Sequence, residues 1–100
     1  MQFIIIGHDG SDDKALERRL AVRDAHSALI KQLKDKGTLL YAAAILDETE
    51  KMVGSMLVAE FESRAELDKW LEVEPYVTGK VWEKIEVKQC KVAPSFSLPG

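Results

Sequence analysis

Between Arg18 and His26 the chain reads Arg-Arg-Leu-Ala-Val-Arg-Asp-Ala-His. Residues three and four apart share a helix face, so a helix here lines up Arg19, Arg23 and His26. Two guanidiniums beside an imidazole are costly to leave without partners. They suit an anion, or a carboxylate brought in from elsewhere in the fold. The plain alternative is a solvated helix face. His26 argues against it, because it also falls on the apolar stripe Val22, Leu29, Leu33. A histidine at the seam between core and solvent needs a hydrogen-bond partner.

The bulk numbers narrow the setting. One hundred residues make one compact domain, near the size at which pairing with a second copy helps. An apolar content of 46% with 31% charged residues is globular. A net charge of −3, with positive residues interspersed among acids, argues against nucleic acid as the main partner. A single cysteine, Cys90, excludes an internal disulfide and any multi-cysteine zinc site, and fits a reducing compartment. No apolar run approaches the roughly 20 residues of a membrane span. The start Met1-Gln-Phe-Ile-Ile-Ile lacks the basic residues and cleavage site of a signal peptide. The expectation is a cytoplasmic domain with no membrane partner.

The elements that must position the helix follow in order. Residues 2–8 are apolar on both faces and β-branched, as in a central strand ending at His8. Ser11 or Asp12 is placed to cap one helix of about six turns, carrying Leu16, Leu20, Val22, Leu29 and Leu33 until Gly37. Residues 38–46 and 53–62 read as a hairpin around the polar turn 47–51, although Ala42-Ala43-Ala44 is poor strand material. Ser63 with Glu66 has the spacing of a capping box, and Ala65, Leu67, Trp70, Leu71 and Val73 supply the buried side of a second helix that Pro75 stops. Residues 81–92 form a last strand with Lys84, Glu86 and Lys88 outward, as an edge requires. Residues 93–100 are a tail.

The order β-α-β-β-α-β predicts an α+β, ferredoxin-like fold: a four-stranded antiparallel sheet with both helices on one face. The other face keeps apolar residues that nothing in the chain covers. A second copy is the economical cover, so a homodimer is expected. The same topology gathers His8, Arg19, Arg23, His26, Glu74, Tyr76 and the 47–51 turn at one end of the domain.

Several short motifs then come in sequence: Arg18/Arg19-Leu-x-Val-Arg-x-Ala-His26, Gly37-x-Leu-Leu, Gly54-Ser55 before a Val-Ala-Glu-Phe strand, Glu74-Pro75-Tyr76 and Gly79-x-Val. Together they closely resemble the YCII-related (YciI-like) family, over residues 1 to about 92. The resemblance implies a ferredoxin-like fold assembled as a dimeric α/β barrel, with a His–Asp site. Carried over, the histidine is His26 and the carboxylate falls on Glu74, where the family usually has Asp. The longer side chain requires a swung carboxylate or a slightly wider site. Ala42-Ala43-Ala44 stands where the family commonly has Ala-Gly-Pro, and the loop after it is shorter. That makes substrate size the least transferable property. His8 matches no expected family residue.

A His–carboxylate pair is a general acid/base arrangement, the carboxylate fixing the tautomer. With Arg19 and Arg23 beside it, and Tyr76, His8 and Ser55 within reach of the same end, a small anionic organic acid is the natural ligand. Proton abstraction, elimination and hydrolysis are the chemistries in range. A non-catalytic ligand-binding module on the same scaffold is the alternative, and a haem- or quinone-type monooxygenase of the dimeric-barrel group is a third. Ser55 is the one nucleophile candidate, although a Gly-Ser in a strand is more often a packing feature. No metal or other cofactor is expected, although His8, His26 and Glu74 were they to meet would make a two-His, one-carboxylate metal set. Trp70 and Trp82 read as core or dimer-interface residues.

Overall fold

The computed structural model describes residues 1–96. Four strands, β1 (Gln2–Asp9), β2 (Leu39–Leu46), β3 (Met52–Glu60) and β4 (Trp82–Cys90), form one antiparallel sheet in the order β2-β3-β1-β4. Between them run the helices α1 (Ala15–Ala21), α2 (Arg23–Asp35), α3 (Arg64–Leu71) and α4 (Pro75–Thr78). This is the expected α+β ferredoxin-like arrangement, with β1 central and apolar on both faces. The tail expected over residues 93–100 starts with a 3₁₀ turn at Pro94–Phe96; residues 97–100 lie outside the described part.

The pleat sorts the sheet into two faces. Phe3 and Ile5 pair with Ala59 and Leu57, and all four are buried on the face that carries the helices. Leu33 of α2 and Leu67 and Trp70 of α3 pack there, with Val22, Leu29 and Ile30 partly buried against them. Ile4 and Ile6, paired with Val58 and Met56, lie on the opposite face and are only half-buried.

Four expectations about the elements need correction. The long helix is two helices, interrupted at Val22 (φ −114°, ψ 9°). Hydrophobic periodicity reports which face is apolar, not whether every i→i−4 bond is made, and Val22 is held by its own packing against the core. Secondly, α1 has no side-chain cap: Asp12 spends its carboxylate on Arg18 (2.6 and 2.9 Å) and on the Lys14 amide (3.1 Å). Thirdly, Leu20 is exposed and Arg19 buried in its place. The guanidinium can enter because β1 offers it a carboxylate, as described below.

Lastly, α3 ends at Leu71, leaving Val73 and Ala65 exposed, and Pro75 also opens a helix. Proline at the first helical position needs no N–H partner and has its φ already set. The Ser63 cap is present, its hydroxyl accepting from the Glu66 amide at 3.2 Å. The hairpin turn is held by Asp47, which accepts from the Thr49 and Lys51 amides at 2.8 and 3.0 Å.

Candidate functional site

The short helix α4 builds the site. Glu74 is its N-cap: one carboxylate oxygen accepts from the Tyr76 amide at 2.7 Å, and the other holds His26 Nδ1 of α2. Glu74 is 0% exposed and His26 is 14% exposed. An ionised carboxylate only accepts, so Nδ1 carries the hydrogen, and in the neutral imidazole the opposite nitrogen, Nε2, then keeps its lone pair. Among the described residues, Nε2 has no protein partner. The extra methylene of glutamate is accommodated by this capping role, which anchors the carboxylate from its other oxygen.

The imidazole is clamped by aromatics. It stacks on the Tyr76 ring, centroids 3.7 Å apart and planes 13° from parallel, and meets the Trp82 indole edge-on at 6.3 Å. Tyr76 and Trp82 pack against each other at 5.7 Å. Burial, the largest influence, raises the Tyr76 phenol above its ordinary range, against the lowering pull of Arg19 and Arg23. The phenol therefore stays protonated at neutral pH. Gly7 of β1 makes this cluster feasible, because a Cβ there would overlap the Trp82 indole.

Beneath the rings lies a second polar group. Arg19 Nη1 donates to both carboxylate oxygens of Asp9, each at 3.0 Å, and both side chains are 3% exposed. Arg19 Nη2 donates to Ser55 Oγ at 2.9 Å, and Trp82 Nε1 donates to the same oxygen at 3.3 Å. The guanidinium carbon stands 4.7 Å from the Tyr76 ring centre. A cleft of about 180 Å³ opens over these groups, lined by Arg19, Arg23, His26, Ser55 and Tyr76, with Ala42–Ala44 and three apolar residues of β3 as its wall.

The structure thus brings together His26, Glu74, Arg19, Arg23, Tyr76 and Ser55, but it does not bring His8 there. His8 points to the other sheet face and pairs with Glu86 of the neighbouring strand at 2.6 Å, holding that carboxyl below its usual range. His8, His26 and Glu74 therefore cannot share an ion. Among the described residues, no group of three or more His, Cys, Asp or Glu side chains gathers as a metal site. The 47–51 turn does not line the cleft; Met52 just beyond it does.

Asp9 is a site residue the sequence does not single out, since it lies just past the strand expected to end at His8. A clue was available in Arg19, whose place on the inner side of α1 demands an acid on the strand beneath. Trp82, expected as core or interface, is core and also a hydrogen-bond donor within the site.

A model of the YCII-related domain matches residues 1–91. The protein YciI of Escherichia coli O6:H1 is 37% identical over 97 residues, covering 91% of this chain and 97% of that protein. An uncharacterized protein of Haemophilus influenzae is 36% identical over the same coverage. Among solved structures, the 5-chloro-2-hydroxyhydroquinone dehydrochlorinase TftG of Burkholderia phenoliruptrix AC1100, in complex with 2,5-dihydroxybenzoquinone, superposes with a TM-score of 0.80. It is 24% identical and spans 95% of this chain and 98% of its own. An antibiotic biosynthesis monooxygenase superposes at 0.53 with 15% identity, spanning 94% of this chain and all of its own. The likeness to these two structures is one of fold. With the domain model spanning nearly the whole chain and a curated relative above one-third identity, the chain belongs to the YCII-related family.

Proposed function

We propose that the cleft is the active site of a small-molecule enzyme acting on a compact organic acid by proton transfer, in a lyase- or hydrolase-type reaction. In this reading His26 is the acid/base and Glu74 its partner. The observation that carries it is the fully buried Glu74 carboxylate on His26 Nδ1, which leaves the lone pair of Nε2 unused beside the cleft. A buried carboxylate is costly. Here it also caps α4, but the cap alone does not call for an imidazole stacked on an aromatic and turned toward a cleft.

His26 would take a proton from the bound acid at Nε2 and return it to the departing or product group. Glu74 would stabilise the imidazolium formed in between, without itself taking the proton. Arg23, exposed at the cleft, supplies positive charge for the acid. TftG, a dehydrochlorinase of a chlorinated hydroxyhydroquinone with a dihydroxyquinone bound, adds acidic hydroxylated rings to the compounds worth testing.

A panel of small organic acids and hydroxylated quinones, 2,5-dihydroxybenzoquinone included, tests the reading by turnover and by ligand-induced rise in Tm. His26→Asn keeps an N–H for Glu74 and removes the base. It should retain the fold and lose turnover. Unchanged turnover in that variant would sink the proposal.

The reading extends to a second copy of the chain on the sheet face that the helices of the described residues leave open. Ile4, Ile6, Met56 and Val58 form its apolar centre, and Glu86 lies among Lys84 and Lys88, charges that a two-fold axis can set against one another. A cytoplasmic setting, in which Cys90 stays a free thiol, belongs to the same proposal. No helix of the described residues is long and apolar enough to cross a membrane.

A further inference from the structure

Resting on the reading of the cleft as an anion site, we infer that Ser55 serves it as an obligate hydrogen-bond donor and Arg23 as its counter-charge. The ligand is then a compact monoanion that presents an acceptor-only oxygen, a carboxylate, enolate or phenolate, to Ser55.

Arg19 is the apparent anion clamp, but its charge is already matched within the protein, by the Asp9 carboxylate. Nη1 serves both oxygens of Asp9, Nη2 serves Ser55, and Nε is buried with no partner. The Asp9–Arg19 pair contributes no net charge to a ligand. Arg23 differs: it is exposed, lines the cleft and, among the described residues, has no ion-pair partner. One uncommitted cation matches one ligand charge.

Ser55 follows from counting hydrogen bonds. A hydroxyl has two acceptor sites and one donor. Arg19 Nη2 at 2.9 Å and Trp82 Nε1 at 3.3 Å fill both acceptor sites of Ser55 Oγ. What remains is the O–H, and among the described residues it has no protein acceptor, while Ser55 lines the cleft. A cationic donor on the same oxygen polarises that O–H and strengthens it as a donor. The same occupancy leaves the hydroxyl no free lone pair for attack. Ser55 is thereby a binding group rather than a nucleophile, and the chemistry at the site proceeds without an acyl-enzyme.

Sodium benzoate and benzamidinium chloride share a shape and oppose each other in charge and in hydrogen-bonding sense, so they test this directly. Amide chemical shifts of the full chain are followed through titration with each. Benzoate should bind the wild type and shift resonances around Ser55, Arg23 and His26, and benzamidinium should not. Ser55→Ala and Arg23→Gln should each weaken benzoate at least about tenfold, the scale of a charge-assisted hydrogen bond, and Ser55→Thr should retain it. Ser55→Cys keeps an acceptor for Arg19 and Trp82 with a weaker donor, and should weaken benzoate if Ser55→Ala does not fold.

Benzamidinium binding as tightly as benzoate would overturn the inference. So would wild-type affinity for benzoate in folded Ser55→Ala or in Ser55→Cys, no benzoate binding by the wild type, or a sulfonyl ester on Ser55 after phenylmethylsulfonyl fluoride. Benzoate binding that depends on Ser55, with no turnover of any compound, would leave the donor assignment standing and sink the acid/base reading alone.

Discussion

Two buried carboxylates carry most of the energetic risk at the level of single residues. Asp9 and Glu74 are each fixed by partners from a different element, Arg19 and His26. Removing one member of a buried pair strands the other, and that loss far exceeds the net worth of the intact pair. Asp9→Asn should therefore cost about 3 kcal/mol in denaturant unfolding, and Asp9→Leu combined with Arg19→Met should recover most of it. Additive losses in that double variant would show that the pair has no coupled role. Glu74→Gln keeps an oxygen for the Tyr76 amide but gives up the charge behind His26. Under the acid/base role proposed for His26 it should lower kcat at least about a hundredfold, with a loss of only about 1–2 kcal/mol of stability.

At the level of elements, one strand shapes the cleft from behind and one turn tunes the stability of the sheet. Gly7 leaves β1 open where the Trp82 indole lies across it. Gly7→Ala must push that ring away from Ser55 and His26, so it should destabilise by about 1–3 kcal/mol, as overpacking does. The same change should perturb Tyr76 and His26 resonances even though no cleft residue is altered. The β2–β3 turn should set part of the acid limb of stability. Hydrogen bonds from Thr49 and Lys51 hold the Asp47 carboxyl below its ordinary value of 3.8. A folded pKa below the unfolded one gives stabilisation that is full above about pH 4 and fades as pH falls through the folded value. Asp47→Asn should thus lose stability at neutral pH relative to the wild type, and the gap should close below pH 4. A gap independent of pH, measured by Tm at several pH values, would contradict this.

For the whole molecule, the helices of the described residues cover the sheet on one side only. Ile4, Ile6, Met56 and Val58 lie across the face that those helices leave open. Light scattering at micromolar protein should give twice the chain mass. Ile4→Lys, at the apolar centre of that face, should yield monomer while leaving the His26–Glu74 geometry in place. A wild-type monomer at that concentration would remove the second copy from the proposal.

The amino-acid sequence by itself determined the element order, the antiparallel sheet and the meeting of His26 with Glu74. Those follow from strand and helix periodicity, from topology, and from motifs resembling a known family. Three things were decided only in three dimensions. The break at Val22 and the exchange of Leu20 for Arg19 on the buried face arise from packing and from Asp9, and neither is visible in a 3.6-residue period. His8 shares an end of the sheet with the cleft but not a face, because one residue along a strand reverses the side chain. The partners of Arg19 and Ser55 come from β1, α1, β3 and β4 at once. Local patterning records each of those residues as turn, helix face or strand, and only the closed sheet brings them within hydrogen-bond distance.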